Sequence, residues 1–248
     1  MFFEIITLFP SMFDGVFTDS ILKRAIEGNF ISVSFLQLRD FSDDSHRTVD
    51  DYPFGGGPGM VLKPEPLSRA IGAAREKHRD SDAPVIFLSP KGRLLDHRLV
   101  TELCRHDGLI LLCGRYKGID NRIRENEIDD EISIGDYVLS GGEIPAMVIV
   151  DSVTRLISGV LGNPDSAAGD SFFNGLLSPP CFTRPEVFKG KGVPEIMRSG
   201  HHERIRMWEK QKAEETTRCM RPDLWQRWCK ANGNETSDAQ VQKGYTLH

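Results

Sequence analysis

Short apolar runs alternate with helix-like stretches over the first 160 residues, and this alternation is the feature that most limits the possible folds. Continuous apolar runs are typical of strands buried in a parallel sheet, and they occur at residues 2–9, 31–38, 85–88, 109–113 and 131–134. Apolar residues at helical spacing mark the predicted helices, which are residues 11–28, 64–78, 96–105 and 143–158. The alternation therefore predicts an α/β domain built on a parallel sheet.

The chain changes character after residue 160. Residues 161–170 (LGNPDSAAGD) are small, polar and turn-forming, which predicts a linker between a domain of residues 1–160 and a second domain of residues 171–248. We expect cationic helices at residues 200–230 and a polar, frayed tail over the last 18 residues. From Arg184 to Lys230 there are 12 Lys and Arg against 7 Asp and Glu, although the whole chain has a net charge of −5. A basic segment on an acidic body is compatible with contacts to phosphate.

Composition excludes several classes of protein. No apolar run approaches the roughly 18 residues that span a bilayer, and the apolar start of the chain lacks the basic region and cleavage site of a signal peptide. The five cysteines are odd in number and lack C-x-x-C spacing, which argues against a disulfide framework or a structural zinc site. These features predict a cytoplasmic protein.

Three loops rich in glycine and small residues leave apolar strands, at residues 88–92, 113–118 and 133–142. Ligands of open α/β sheets bind beyond the carboxyl ends of the strands. Glycine lets the backbone approach a ligand closely, so that N–H and C=O groups could recognise an adenine edge. Each loop by itself also fits an ordinary tight turn, and the residues alone leave both interpretations open.

Neither G-x-G-x-x-G nor a P-loop occurs, which argues against a dinucleotide enzyme or a P-loop NTPase. Residues 55–60 (GGGPGM) could admit a phosphate or a planar base to the backbone, or form a surface turn. Asp170 could act as a general base, although an Asp after Gly also suits an N-cap or a turn. Arg155 lies in an apolar stretch, where a buried guanidinium needs a partner.

Six motifs occur in order: S-P-x-G-R, C-G-R-Y-x-G-I-D, S-I-G-D-Y-V-L-S-G-G-E-x-P-A-M, D-S-F…G-L-L, T-R-P-E-V and S-G-H-H. From residue 2 to about 228 the chain resembles the bacterial tRNA (guanine-N1)-methyltransferase family, TrmD. The resemblance implies a SPOUT-type parallel sheet tied in a deep trefoil knot, with a small, mostly α-helical C-terminal domain that contacts tRNA. It also implies a homodimer with active sites at the subunit interface.

The resemblance implies methyl transfer from S-adenosyl-L-methionine to N1 of guanosine-37, 3′ of the anticodon in tRNA. Asp170 would be the general base, and Arg155 would pair with guanine O6 or with Asp170. The cofactor would contact Leu88, Ser89, Pro90, Gly114, Tyr116, Gly118, Ser133, Ile134, Gly135, Asp136, Tyr137, Val138, Leu139, Gly141, Gly142 and Pro145. The anticodon stem-loop would contact Asp50, Gly59, Met60, Ser171, Ser199, His201 and His202.

One position departs from the family pattern. The family usually has Glu where this chain has Lys117, and a carboxylate there is associated with a role for Mg²⁺. A cation at that place puts Mg²⁺ in doubt as a second cofactor, and no metal ligands are predicted. Two alternatives stay open: another knotted RNA methyltransferase that acts on a different RNA or atom, and a non-catalytic RNA-binding protein on the same scaffold.

Overall fold

The computed structural model describes residues 1–162 and 169–233. The chain divides into two compact units, Met1–Asn163 and Pro164–His248. Residues 163–168 of the expected linker and residues 234–248 of the expected tail lie outside the described residues.

A five-stranded sheet forms the first unit, and its strands are β1 (Phe2–Thr7), β2 (Ser32–Gln37), β5 (Val85–Leu94), β6 (Gly108–Cys113) and β7 (Asp130–Ser133). Two further strands, β3 (Asp50–Asp51) and β4 (Val61–Leu62), pair with each other as a short antiparallel ribbon. The strand order of the sheet is β2-β1-β6-β5-β7, and every neighbouring pair is parallel. The predicted α/β class with a parallel sheet is confirmed.

Helices cover both faces of this sheet: α1 (Asp14–Phe17), α2 (Ser20–Glu27), α3 (Pro64–Lys77), α4 (His97–Leu103), α5 (Asn121–Asn126) and α6 (Glu143–Thr154). Successive residues of a strand face opposite sides of the sheet. Leu109 and Leu111 of β6 therefore pack in one hydrophobic cluster, together with residues of α4 and α6. Ile110 and Leu112 pack in the cluster that holds α3 and α5. Burial on both faces explains why β6 is apolar throughout.

The prediction of a single helix over residues 11–28 is wrong. The segment is a 3₁₀ turn (Pro10–Phe13), then α1, then α2. Asp19 adopts an extended conformation, with φ −140° and ψ 162°, and its carboxylate accepts a hydrogen bond from the Ser20 N–H. The apolar periodicity continues through this position, but the extended backbone of the N-cap residue Asp19 interrupts the helix. A new helix, α2, therefore begins at Ser20.

The prediction of a loop at residues 88–92 is also wrong, because these residues lie within β5. The register against β7 shifts between Leu88 and Arg93, both of which pair with Ile132. A Cβ added at Gly92 would lie 2.3 Å from the carbonyl oxygen of Glu131. The missing side chain thus lets β5 bulge and continue beside β7.

The second unit contains a hairpin of β8 (Val187–Phe188) and β9 (Lys191–Gly192), followed by α7 (Glu195–Arg198), α8 (His202–Met220) and α9 (Pro222–Ala231). The cationic stretch at residues 200–230 is thus two helices, which Arg221 separates. Thr217 is buried on α8, where its hydroxyl donates to the Ala213 carbonyl and accepts the Leu177 N–H at 2.8 Å. This contact holds the start of the unit against α8.

The five cysteines are free thiols. Cys113 is buried at the end of β6, where burial, reinforced by the charge of Glu143, raises the pKa of its thiol. Cys181 and Cys219 are exposed. Among the described residues, no helix combines the length and the apolar character needed to cross a bilayer.

Candidate active site

A cavity of about 380 Å³ lies where β5, β6 and β7 reach their carboxyl ends. This edge is where open α/β sheets bind ligands, and the volume falls in the range of small-molecule sites. Its walls come mainly from residues 87–91, 114–119 and 131–141. The three stretches singled out in the sequence therefore surround one space, even though the first of them is part of a strand.

Every residue expected to hold the cofactor lines this cavity except Asp136 and Gly142. Gly142 lies behind the wall, where its N–H donates to the Gly114 carbonyl at 2.9 Å. A Cβ added at Gly142 would lie 2.6 Å from the Cα of Cys113. Gly142 therefore joins the two loops that leave β6 and β7.

The loop after β7 is held by its own hydrogen bonds. Gly135 has φ +154°, and a Cβ there would lie 2.3 Å from the Tyr137 ring. The Ser133 hydroxyl donates to the Gly135 carbonyl at 3.1 Å, and the Tyr137 hydroxyl donates to the Ile134 carbonyl at 3.2 Å. Tyr137 and Val138 are exposed apolar side chains on the cavity wall. Such a wall suits a planar or apolar ligand group bound against backbone.

Arg115 and Glu143 form an ion pair at the cavity, with Nε 3.2 Å from Oε2. Glu143 is 1% exposed at the first turn of α6, where the helix dipole favours a carboxylate. The Thr7 hydroxyl donates to Glu143 Oε1 at 2.9 Å. The Arg115 guanidinium also lies 4.4 Å from the centre of the Phe9 ring and contacts the Met12 sulfur. The pair thus fixes the loop after β6 against α6.

Polar residues that the sequence analysis did not select line another part of the cavity. Arg124 Nε of α5 donates to Glu131 Oε2 of β7 at 2.6 Å, and Lys91 and Asn121 lie on the same wall. Glu131 Oε1 is buried and has no hydrogen-bond partner among the described residues. Nothing in the spacing of Arg124 and Glu131 marks them as neighbours, because the contact depends on α5 packing beside β7.

Lys117 reaches from the cavity to the glycine-rich loop of residues 55–60. Its N–H donates to the Met60 carbonyl at 3.0 Å. A Cβ added at Gly59 would lie 3.2 Å from its side chain, and one added at Gly57 would lie 3.5 Å from its ammonium nitrogen. The expected RNA-contacting residues Gly59 and Met60 therefore lie beside a cation of the cavity wall.

Known proteins match this chain over most of its length. The model of the family described as tRNA (Guanine-1)-methyltransferase TrmD matches residues 1–227. The chain belongs to this family. It is 52% identical over 224 residues to a tRNA (guanine-N(1)-)-methyltransferase of Geobacter sulfurreducens, which covers 90% of this chain and 91% of the relative. A relative of the same name from Caldanaerobacter subterraneus subsp. tengcongensis is 48% identical over 248 residues, the whole of both chains. One from Dictyoglomus turgidum is 52% identical over 221 residues, or 89% of this chain and 88% of the relative.

The two catalytic candidates of this TrmD-family chain lie in different units. Arg155 is the half-buried C-cap of α6, where its N–H donates to the Asp151 carbonyl at 3.1 Å. Asp170 is exposed near the start of the described part of the second unit. The roles of both residues stay predictions.

The expected RNA-contacting residues are likewise divided between the units. Asp50 lies in β3 of the first unit. In the second unit, Ser171 lies near the start, while the Ser199 hydroxyl accepts the His201 N–H at 3.2 Å and His202 begins α8. Residues 1–162 and 169–233 contain no group of three or more His, Cys, Asp or Glu that could hold a metal ion.

Proposed function

We propose that this chain transfers a methyl group from S-adenosyl-L-methionine to N1 of guanosine-37 in tRNA. The observation that carries the proposal is the cavity at the ends of β5, β6 and β7, whose walls are the family's motifs. Relatives about 50% identical to this chain are named tRNA (guanine-N(1)-)-methyltransferases, which supports the same reaction here.

The cavity residues fit the methyl donor. The volume suits a nucleoside with an amino-acid tail, and the wall offers backbone groups at Ile134 and Leu139 beside the apolar side chains of Tyr137 and Val138. These residues would hold the adenine, while Lys91 and Lys117 would face the polar groups. S-adenosylmethionine supplies an activated methyl group on its sulfonium sulfur.

The protein must make guanine N1 a nucleophile. Guanine N1 carries a proton near neutral pH. Asp170 would accept this proton, and negative charge would develop at O6 of the guanine. Arg155 would stabilise that charge at O6, an electrostatic role directed at the transition state. A general base typically contributes about 10²–10⁴-fold, and holding the two reactants in line contributes further.

Guanosine-37 lies in a loop, where an unstacked base can present its Watson–Crick edge to a protein. Residues 55–60, Asp50 and Ser171 would hold the RNA, together with Ser199, His201 and His202. The cationic α8 and α9 support this assignment because lysines and arginines contact phosphate. The domain of residues 171–248 is thus proposed as the tRNA-binding domain and residues 1–160 as the cofactor domain.

Mg²⁺ does not fit the cavity at position 117, because the Lys117 ammonium would repel a divalent cation there. No step of the mechanism passes through a metal. Lys117 instead suits an anionic group, either a carboxylate or an RNA phosphate.

The proposed assembly is a cytoplasmic homodimer with the trefoil knot of its family. Apolar side chains on one face of the first unit support a dimer: Ile144 and Val148 of α6 are exposed four residues apart. Phe9 and Met12, also exposed, contact Arg115, which pairs with Glu143 at the start of α6. Exposed apolar side chains that gather on one surface mark protein interfaces.

The test is methyl transfer from labelled S-adenosylmethionine to two tRNA transcripts that differ only in guanine or adenine at position 37, followed by nucleoside analysis. We expect N1-methylguanosine from the guanine transcript alone. Labelling of both transcripts would place the reaction at another nucleotide. Labelling of neither would favour a non-catalytic RNA-binding protein or another substrate.

A further inference from the structure

A hairpin in the second unit presents an aromatic ring beside two lysines. β8 pairs with β9 through a two-residue turn, in which Lys189 has φ +49° and Gly190 has φ +77°. Two successive positive φ angles are typical of a type I′ turn, whose twist matches that of the flanking strands. Lysine adopts this left-handed conformation at a cost in backbone energy. The turn holds Lys189 next to Phe188.

The ring of Phe188 does not serve the core of its own unit. Phe188 is 63% exposed, and its neighbour Val187 is 60% exposed. Every residue from 181 to 192 is exposed. The Lys189 ammonium lies 5.4 Å from the centre of the Phe188 ring, within the distance of a cation–π contact. The Lys189 ammonium therefore lies over the ring, and the rest of this exposed ring is available to a ligand.

The charge of the hairpin favours an anionic ligand. Its acid, Glu186, forms an ion pair with Arg198 of α7, while Lys189 and Lys191 lie at the tip. A second copy of the chain docked through the same tip would bring these lysines against their own equivalents, and like charges repel.

We propose that the hairpin tip binds an unpaired nucleotide of the tRNA, with a base stacked on Phe188 and backbone phosphates on Lys189 and Lys191. Aromatic side chains flanked by cations are a recurrent way to hold single-stranded RNA. The ion pair with Arg198 ties the hairpin to α7, which leads directly into Ser199 and His201. The inference rests on the proposed function and adds a contact to the same substrate.

The first test compares Phe188→Ala with Phe188→Tyr in the full chain. Equilibrium binding of the tRNA transcript should weaken about 5- to 100-fold in Phe188→Ala, because stacking on the ring is lost. Phe188→Tyr keeps the ring and should bind within about twofold of wild type. Leu94→Ala is the matched control, since Leu94 is an apolar side chain of the first unit with a similar exposure of 58% and lies outside the residues proposed to hold RNA, so binding should be unchanged. Calorimetry should find S-adenosylmethionine affinity unaltered in all three variants.

The second test uses the dependence of tRNA affinity on salt. Lys189→Gln and Lys191→Gln should each lower the slope of log K against log salt by about 0.7–0.9, the effect of one phosphate contact. Lys23→Gln is the control, because Lys23 is an exposed lysine of α2 in the first unit, where it forms an i,i+4 pair with Glu27. Its slope should match that of wild type.

If the Phe188 and lysine variants keep the tRNA affinity and the salt dependence of wild type, the hairpin contact is overturned. The methyltransferase proposal then stays intact. A change of Phe188→Ala from dimer to monomer in sedimentation would show a subunit contact instead, which also overturns it. If the wild type itself binds no tRNA, the proposed function and the hairpin contact fail together.

Discussion

Arg115 donates toward Glu143 from the loop after β6, and this ion pair spans the two loops that form most of the cavity wall. A Cβ added at Gly141 would lie 2.4 Å from both Arg115 Nε and Glu143 Oε2. Arg115 also pairs with Gly141 as an isolated antiparallel bridge. The ion pair therefore sets the spacing of the two loops, and with it the width of the cavity.

Breaking this pair should weaken binding of the methyl donor and destabilise the fold. Glu143→Gln leaves the Arg115 guanidinium without its charged partner, at a cost of about 1.5–3 kcal/mol in unfolding free energy. S-adenosylmethionine affinity, measured by calorimetry, should fall about tenfold or more. The control is Glu102→Gln, which breaks an exposed pair with Arg93 and should leave the unfolding free energy close to that of wild type. Unchanged affinity in Glu143→Gln would show that the loops keep their spacing without the pair.

Glu4 should make stability depend on pH in the acid range. Glu4 is fully buried on β1 and accepts hydrogen bonds from Lys77, His78 and Ser34. Burial alone raises the pKa of Glu4, but these hydrogen bonds outweigh it and hold the pKa below 4.5. Because the folded state favours the carboxylate, its contribution is present above about pH 4.5 and is lost as the pH falls through the lowered pKa.

Urea unfolding of Glu4→Gln tests this expectation. At pH 7 the variant should lose about 3 kcal/mol of unfolding free energy, since Lys77 and His78 keep no charged partner there. The difference from wild type should shrink at pH 3. Glu76→Gln, which breaks an exposed pair between Glu76 of α3 and Arg79 just beyond the end of that helix, should lose less than about 1 kcal/mol at either pH. If Glu4→Gln lowers the unfolding free energy by the same amount at pH 7 and at pH 3, the effect comes from packing alone.

Asp170→Ala should lower kcat by at least about 10²-fold while S-adenosylmethionine binding is retained, because the proposed general base for the N1 proton is lost. Single-turnover methyl transfer and calorimetry measure the two quantities. Asp80→Asn, which removes the charge of a nearly fully exposed carboxylate, is the control and should match wild type. Near-normal turnover in Asp170→Ala would remove Asp170 as the base, and lost cofactor binding would assign it a structural role.

Charge placed on the apolar face of α6 should dissociate the proposed dimer. Ile144 and Val148 are 47% and 40% exposed, and burying a carboxylate between two subunits is unfavourable. Sedimentation of Ile144→Glu and Val148→Glu at micromolar concentration should give monomers where wild type gives dimers. Leu94→Glu changes another exposed apolar side chain of the same unit and should stay dimeric. A monomeric wild type, or dimers in every variant, would contradict the proposed interface.

Local sequence patterns predicted the parallel sheet because a strand buried on both faces must be apolar throughout, as β6 is. The helix break at Asp19 was missed, since an N-cap is a single polar residue within a longer apolar period. The bulge in β5 could not be predicted, because it depends on Gly92 meeting the backbone of Glu131, 39 positions along the chain in another strand.

The family resemblance alone named the residues expected to hold the cofactor, because glycine-rich loops also fit ordinary turns. The contact between Arg124 and Glu131 was missed because no motif contains both residues. The pair of Arg115 and Glu143 was missed because the two residues belong to different motifs and lie 28 residues apart. Contacts between separate elements form only in the folded chain, and spacing along the sequence does not encode them.

If the cavity at the ends of β5, β6 and β7 holds the methyl donor, a bulky side chain on its wall should block binding. Calorimetric titration of S-adenosylmethionine into wild type, Ser140→Trp and Thr101→Trp measures this. Ser140 lines the cavity, so an indole there should occlude it, whereas Thr101 is exposed on α4 outside the cavity. We expect one site per chain in wild type and in Thr101→Trp, and at least about tenfold weaker binding in Ser140→Trp. Binding to Ser140→Trp equal to that of wild type, or no binding to wild type, would contradict it.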